Sequence, residues 1–430
     1  MNPQVDAQAV SQECTELDIA IVGGAMAGAT LALGLADLAR KLSRPLKIAV
    51  IEAFDPAKQH PGFDARSIAI ANGSVFELKR LGIWPLLEDL GTAITDIHVS
   101  DRGHFGMTEL NAGQFALDSL GQVVELERVG QRLFGAIGNS DIQLYCPARL
   151  EKLQTSAAGH SLTLSNGQRL SCRLLLAADG VNSSVRAQQQ QALQQFEFGQ
   201  SAVIANVATD KPHNGMAWER FTEHGPLALL PMGDSDGQAR LSLVWALPHE
   251  EAKRVQALPQ AEFLQQLQQA FGYRAGRFVA VGERNRYPLS LSYMPRPIYH
   301  RTLYLGNAAQ TLHPIAGQGF NLGLRDLVTV LETLEPVLAA GGDPGAARCC
   351  MPIMPPVSRT DARPSTISSF WCAVFPTTTG RWWPDVIWGS GSSPGAHLSR
   401  PRWPTEPWGG TGNRLLVCFP GVSDDEFPKL

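Results

Sequence analysis

An α/β fold, with a parallel nucleotide-binding layer and a separate antiparallel sheet, is predicted by three observations in this 430-residue sequence. An apolar run, a glycine turn and a long Ala/Leu-rich helical pattern follow one another in LDIAIVGGAMAGATLALGLADLARKL, from Leu17 onward. A second apolar run, KIAVIE at 47–52, ends in a carboxylate, Glu52, roughly twenty residues past that turn. Between 200 and 248, apolar and polar residues alternate through SAVIANVATD, PLALLPM and ARLSLVWALP, which is the period of half-buried strands.

Strand, glycine turn and helix, in that order, are how a Rossmann-like fold presents free helix amides to a pyrophosphate. The G-x-G-x-x-G pattern aligns Gly23, Ala25 and Gly28, with alanine in the middle, and Gly24 partly relieves the crowding there. Glycine pairs after buried strands are often only tight turns. Glu52, placed where an acceptor for a ribose hydroxyl belongs, favours the nucleotide reading. A third string, LLLAADGVNSSVR at 174–186, runs an apolar strand into Asp179 and Gly180, a pair that taken alone is a common turn. The segment 306–326, GNAAQTLHPIAGQGFNLGLRD, follows the apolar Leu303, Tyr304 and Leu305. Gly306 and Asn307 open a small-residue turn, and Gly317, Gly319 and Asn321 sit where a backbone must approach a flat or anionic ligand.

Composition narrows the function classes. With 44% apolar residues and a net charge of -4, the chain suits a folded enzyme of two or three domains and lacks the basic footprint of nucleic-acid binding. Seven cysteines without a C-x-x-C pair indicate neither a metal site nor a redox dithiol, so a cytoplasmic location is expected. Residues 1–16 carry Asp6, Glu13 and Glu16 and no basic or apolar stretch, and they read as a flexible lead-in. No apolar run approaches the ~20 residues of a membrane span, so any membrane contact is expected to be peripheral.

The GGAMAG turn with Glu52, the AADG turn and the 306–326 segment stand in the order and spacing of the flavoprotein aromatic hydroxylases, which the chain resembles from about 17 to 348. Longer strings are similar to the ubiquinone-pathway members of that family. They are HPGFDARSIAI (60–70), VSDRGHFG (99–106), LGQVVEL (120–126), VIANVAT (203–209), RFTEHGPLALLPM (220–232) and the 306–326 segment itself. The wider family usually has Asp at Asn307 and His at Gln310, and Asn keeps a hydrogen bond to a ribityl chain without the charge.

The resemblance implies an FAD-binding Rossmann-like domain of the para-hydroxybenzoate hydroxylase type, formed by 17–100, 121–186 and 283–343. An antiparallel β-sheet substrate domain would comprise 101–120 and 187–282. It further implies a reaction in which NAD(P)H reduces FAD and one atom of O2 passes to the ring of a prenylated methoxyphenol. Peripheral membrane contact and assembly with other pathway enzymes would suit such a substrate. By position, Glu52 would hold the adenosine ribose and Gly23, Gly24, Ala25 and Gly28 would face the pyrophosphate. Asp179, Gly306 and Asn307 would lie along the FAD, and Arg66, Arg128 and Gln131 would approach it. Pro314, Gly317, Gln318, Gly319 and Asn321 would pass the flavin ring.

No catalytic residue is assigned. His313 invites a general-base reading because a phenol reacts faster as phenolate, although a histidine in a turn is more often structural. Trp218, Phe221 and Trp245 are read as core first and as a greasy substrate pocket second. Two other readings stay open: an FAD-dependent hydroxylase or reductase of another substrate, and an inactive remnant.

That last reading comes from the tail. The residues after Arg348 hold six of the nine tryptophans and four of the seven cysteines, with no sustained period. Back-translated with permitted codons and read two bases later, RWWPDVIW at 381–388 can give Val-Val-Ala-Gly-Arg-His-Leu, which is similar to the family's terminal motif. Segments 362–366 and 405–410 agree on the same offset, so 349–430 is expected to be an aberrant, disordered, frameshifted tail.

Overall fold

The computed structural model describes residues 14–55, 66–103, 107–235, 237–312 and 318–346, all within one compact unit. The expected tail at 349–430 and the lead-in before Cys14 lie outside the described residues. Five strands run parallel in the order Thr302–Tyr304, Arg169–Ala177, Cys14–Val22, Ile48–Ile51 and Gln143–Tyr145. Their residues are apolar on both faces because both faces are covered. Ile19, Ile21, Val50 and Leu176 pack under the helices Met26–Lys41, Leu126–Gly138 and Gln318–Ala339. Ala20, Leu175 and Ala177 pack instead with Leu162 and Leu164 of an antiparallel hairpin. The first strand starts earlier than the apolar run suggests. Cys14, Thr15 and Glu16 pair with Arg169, Leu170 and Ser171, so ladder hydrogen bonds rather than burial hold the end of the expected lead-in.

The second sheet has nine strands, and its long central members are antiparallel: Asn285–Tyr293, Gln194–Thr209, Gln238–Pro248, Gly225–Ser235 and Met216–Thr222. One pairing departs from the expected antiparallel pattern. Asp96–Asp101 lies parallel to Met216–Thr222, because it reaches the sheet from a distant part of the chain rather than through a hairpin. The sequence-based segments grouped Asp96–Asp101 mostly, and Asn285–Tyr293 wholly, with the nucleotide half, but both hydrogen-bond into this second sheet. Strand Gln194–Thr209 also begins before 200. A register shift between Glu197 and Gln200, with Gly199 at φ +66°, bends it without ending it.

Helices His249–Ala257 and Gln260–Phe271 seal one face of this sheet. Trp245 meets Phe263 edge-on with centroids 6.2 Å apart, and Trp218 meets Phe271 in the same way at 6.2 Å. The core reading of Trp218 and Trp245 therefore holds, and Phe221, which alternates onto the opposite face, is buried as well at 6% exposure. A three-stranded sheet, Ser67–Ala71, Gly121–Glu125 and Thr92–Ile94, bridges the two large sheets. Its Ala69, Val123 and Ile94 pack against Ile97, Ala217 and Leu230 of that opposite face.

Among the described residues, no helix is long and apolar enough to cross a membrane. Phe263 is fully buried beneath Trp245, with the Arg284 guanidinium 5.1 Å from its ring. Phe263→Ala should lower stability by about 3–5 kcal/mol in urea denaturation, and a loss under about 1 kcal/mol would show that the helical cover does not depend on this ring.

Candidate functional site

The glycine turn is set by close backbone approach. Gly23 has φ +98°, and a Cβ there would overlap the carbonyl of Ala178 on the neighbouring strand. A Cβ on Gly28 would overlap the carbonyl of Gly23, so the first turn of helix Met26–Lys41 lies directly on the end of the strand before it. Ala25 precedes this helix in an extended conformation and supplies no side-chain cap, and the first turn carries no acidic residue. Its leading amides therefore face an open, electropositive end suited to a phosphate.

Glu52 closes the edge of this cradle. It is 4% exposed and accepts from Gly24 N at 2.5 Å and Phe54 N at 2.9 Å. A Cβ on Gly24 would stand 3.1 Å from Glu52 Cβ and 3.1 Å from Phe134 Cζ. Gln131 and Arg128 lie one and two turns before Phe134 on helix Leu126–Gly138, both exposed, in a row leading away from the glycine turn. At the far end of that row Arg128 lines a small cavity with Asp89, Thr92, Glu125 and Met232, at the junction with the second sheet.

Two further turns meet the first. Asp179 Oδ2 accepts from Ser184 N at 2.7 Å and Val185 N at 3.2 Å, capping the short helix Ser184–Gln188. Its Oδ1 is buried without a hydrogen-bond partner. Gly306, at φ +55°, lies beside Ala27 of the glycine-turn helix, and Asn307 next to it is exposed. Arg186 joins these turns: 9% exposed, it donates to Ala308 O at 2.7 Å and to Val181 O at 2.5 Å. No role for Arg186 follows from the sequence, although it is the last residue of the LLLAADGVNSSVR string, and that position was the available signal.

The other expected residues are distributed around this centre. The Arg66 guanidinium lies 4.8 Å from the ring centroid of Tyr287, so this arginine faces the second sheet. Asn321 is 6% exposed and clamps strand Ser67–Ala71, donating to Ala69 O and accepting from Ala71 N, each at 2.9 Å. Gly319 is exposed with open space beside its Cα. His313, Pro314 and Gly317, and the side chain of Gln318, lie outside the described residues. Glycines that no side chain can replace, the orphaned Asp179 Oδ1 and the adjacent Glu52 carboxylate together fit a dinucleotide.

Burial pushes the Cys146 thiol up to about 11 and the Cys172 thiol to about 12, so both stay protonated and unreactive at neutral pH. Burial likewise pushes Asp326 up to about 6, against a 3.1 Å hydrogen bond from Gln310 Nε2 and the charge of Arg325. Since the folded value exceeds the unfolded one, the favourable contribution of Asp326 is full below about pH 4 and is lost as pH rises through about 6. Asp326→Asn should therefore raise stability by about 1–2 kcal/mol at pH 8 and by almost nothing at pH 4 in paired thermal melts. An equal gain at both pH values would refute this assignment.

Residues 16–346 match the family described as FAD binding domain. The chain is 35% identical over 336 residues to ubiquinone hydroxylase UbiL of Rhodospirillum rubrum, covering 76% of this chain and 75% of that one. It is 30% identical over 322 residues to 3-demethoxyubiquinol 3-hydroxylase of Escherichia coli strain K12, covering 74% and 79%. Its fold is similar to the crystal structure of PqsL from Pseudomonas aeruginosa, with TM-score 0.64 at 19% identity over 79% of this chain and 91% of that one. With its three turns and Glu52 arranged around one helix end, the chain belongs to the FAD-binding monooxygenase family.

Proposed function

We propose that this protein hydroxylates the ring of a prenylated methoxyphenol in ubiquinone biosynthesis, consuming NAD(P)H and O2. The observation that carries the reading is the meeting of the Gly23, Asp179 and Gly306 turns at the start of one helix, beside a sheet whose second face carries a half-buried apolar row. The names of the Rhodospirillum and Escherichia relatives support a quinone precursor as the substrate. Bound FAD would supply the oxygen activation. The chain's own work is to bind and orient: Glu52 at the ribose, the Gly23 turn at the pyrophosphate, and Asp179 and Asn307 along the cofactor, with Arg66 on the side of the second sheet. A prenyl tail partitions into lipid, which supports peripheral membrane contact and hand-over within an assembly of pathway enzymes. The tail after Arg348 falls outside the family match, which supports the shifted-frame reading of that segment.

The test uses the purified chain. The proposal expects visible flavin absorbance and, on adding a prenylated methoxyphenol, NADPH oxidation matched by a hydroxylated product in mass spectrometry. NADPH oxidation without product would favour the reductase reading, and a colourless soluble protein the inactive remnant. Gly28→Val should abolish FAD retention, because its side chain would displace the Gly23 carbonyl. Glu52→Ala should weaken FAD binding by about 10- to 100-fold in a fluorescence titration, the worth of one charge-assisted hydrogen bond. FAD affinity unchanged in both variants would remove the site as drawn.

A further inference from the structure

On the second face of the large antiparallel sheet, Glu219 stands in an apolar row. Ala217, Glu219 and Phe221 alternate onto that face of strand Met216–Thr222, while Trp218 and Arg220 point to the helical cover. In register with Glu219 lie Val99 on one side and Ala228 on the other, then Val244 and Ile204 on the next two strands. These five residues are half-buried, whereas Leu227, Leu229, Leu243, Trp245 and Val203 on the opposite face are fully covered. The row is thus a partly open apolar floor. It lies between the Ala217 row, which packs on Ala69 and Val123, and the Phe221 row, which ends at Tyr287 beneath Arg66.

Glu219 makes no hydrogen bond or ion pair with any described residue, and burial alone pushes its carboxyl up to about 7. The charged groups around this face are otherwise engaged: Arg66 lies over Tyr287, and Arg240 donates to Glu125 at 3.3 Å. Asp101 sits on the same face in register with Phe221, one row along. Ser242 Oγ, two strands from Glu219, is buried and without a partner. An unpaired carboxyl among Val, Ala and Ile is less favourable there than an alanine or leucine would be. A ligand with one hydroxyl on a hydrocarbon body would both cover the floor and satisfy the acid.

We propose that Glu219 is the specificity-determining residue that seats the phenolic hydroxyl of the substrate, the prenyl tail lying along Val99, Ala228, Val244 and Ile204. The inference rests on the hydroxylase reading above and names the group in this chain that would distinguish a free phenol from its ether. As carboxylate, Glu219 accepts the phenol O–H, and a methyl ether has no hydrogen to give.

The experiment is a binding titration of 2-methoxy-6-prenylphenol and of its methyl ether to the FAD-loaded full chain, followed through the flavin spectrum. The unsubstituted protein should bind the phenol at least about tenfold more tightly than the ether. Glu219→Leu should keep its flavin absorbance and lose that preference, to within about threefold. Glu219→Gln, which can still accept a hydrogen bond, should keep most of the preference but lose its change with pH between about 6 and 8. A preference undiminished in Glu219→Leu, or absent from the unsubstituted protein, would overturn the assignment. A chain that takes up no flavin would instead overturn the hydroxylase reading and this inference together, so the two failures are told apart by colour.

Discussion

The close approach of Gly23 to Ala178 is the constraint on which the rest of this structure depends. Two adjacent parallel strands must end level with one another, and their following turns must pass within backbone contact, for Gly28 to start a helix on the carbonyl of Gly23. Any side chain at either position would force the turns apart. The consequence is a helix end left free of side-chain caps, with Glu52 on one flank and Asp179 on the other. Both acids accept hydrogen bonds from backbone amides.

A second set of contacts carries this arrangement to the antiparallel sheet. Asn321 binds both backbone groups that flank Ile70, fixing strand Ser67–Ala71 against the start of helix Gln318–Ala339. The same strand and the residue before it reach across to the second sheet, through Ala69 to Ala217 and through Arg66 to Tyr287. A shift of the helix start would therefore be felt on the sheet face that carries Glu219. The helical cover on the far side makes that sheet stiff, since Trp218 and Trp245 interlock there with Phe271 and Phe263. One face is thus fixed by packing, while part of the other is only half-buried.

The nucleotide elements were legible because each rests on a local demand. Gly23, Gly28, Glu52 and Asp179 are required by positive φ, by close approach or by a lone carboxylate at a strand end, and those requirements leave a mark in a short string of residues. Resemblance then tied the strings to one another. The strand at Asp96–Asp101 left no such mark: its parallel partner lies more than a hundred residues later, and nothing in VSDRG indicates which sheet it will join. Arg186 was hidden for a similar reason, because its work is to hold Ala308, a residue distant in the chain.

The sequence by itself determined which turns this protein makes and that one sheet alternates, because φ preference and period are properties of neighbouring residues. Tertiary structure decided the side on which each alternating residue falls. Trp218 and Trp245 went under the helices, while Phe221 and Glu219 went to the opposite face. A strand of period two offers two equivalent faces, and only the helices on one side and the bridging sheet on the other break that symmetry.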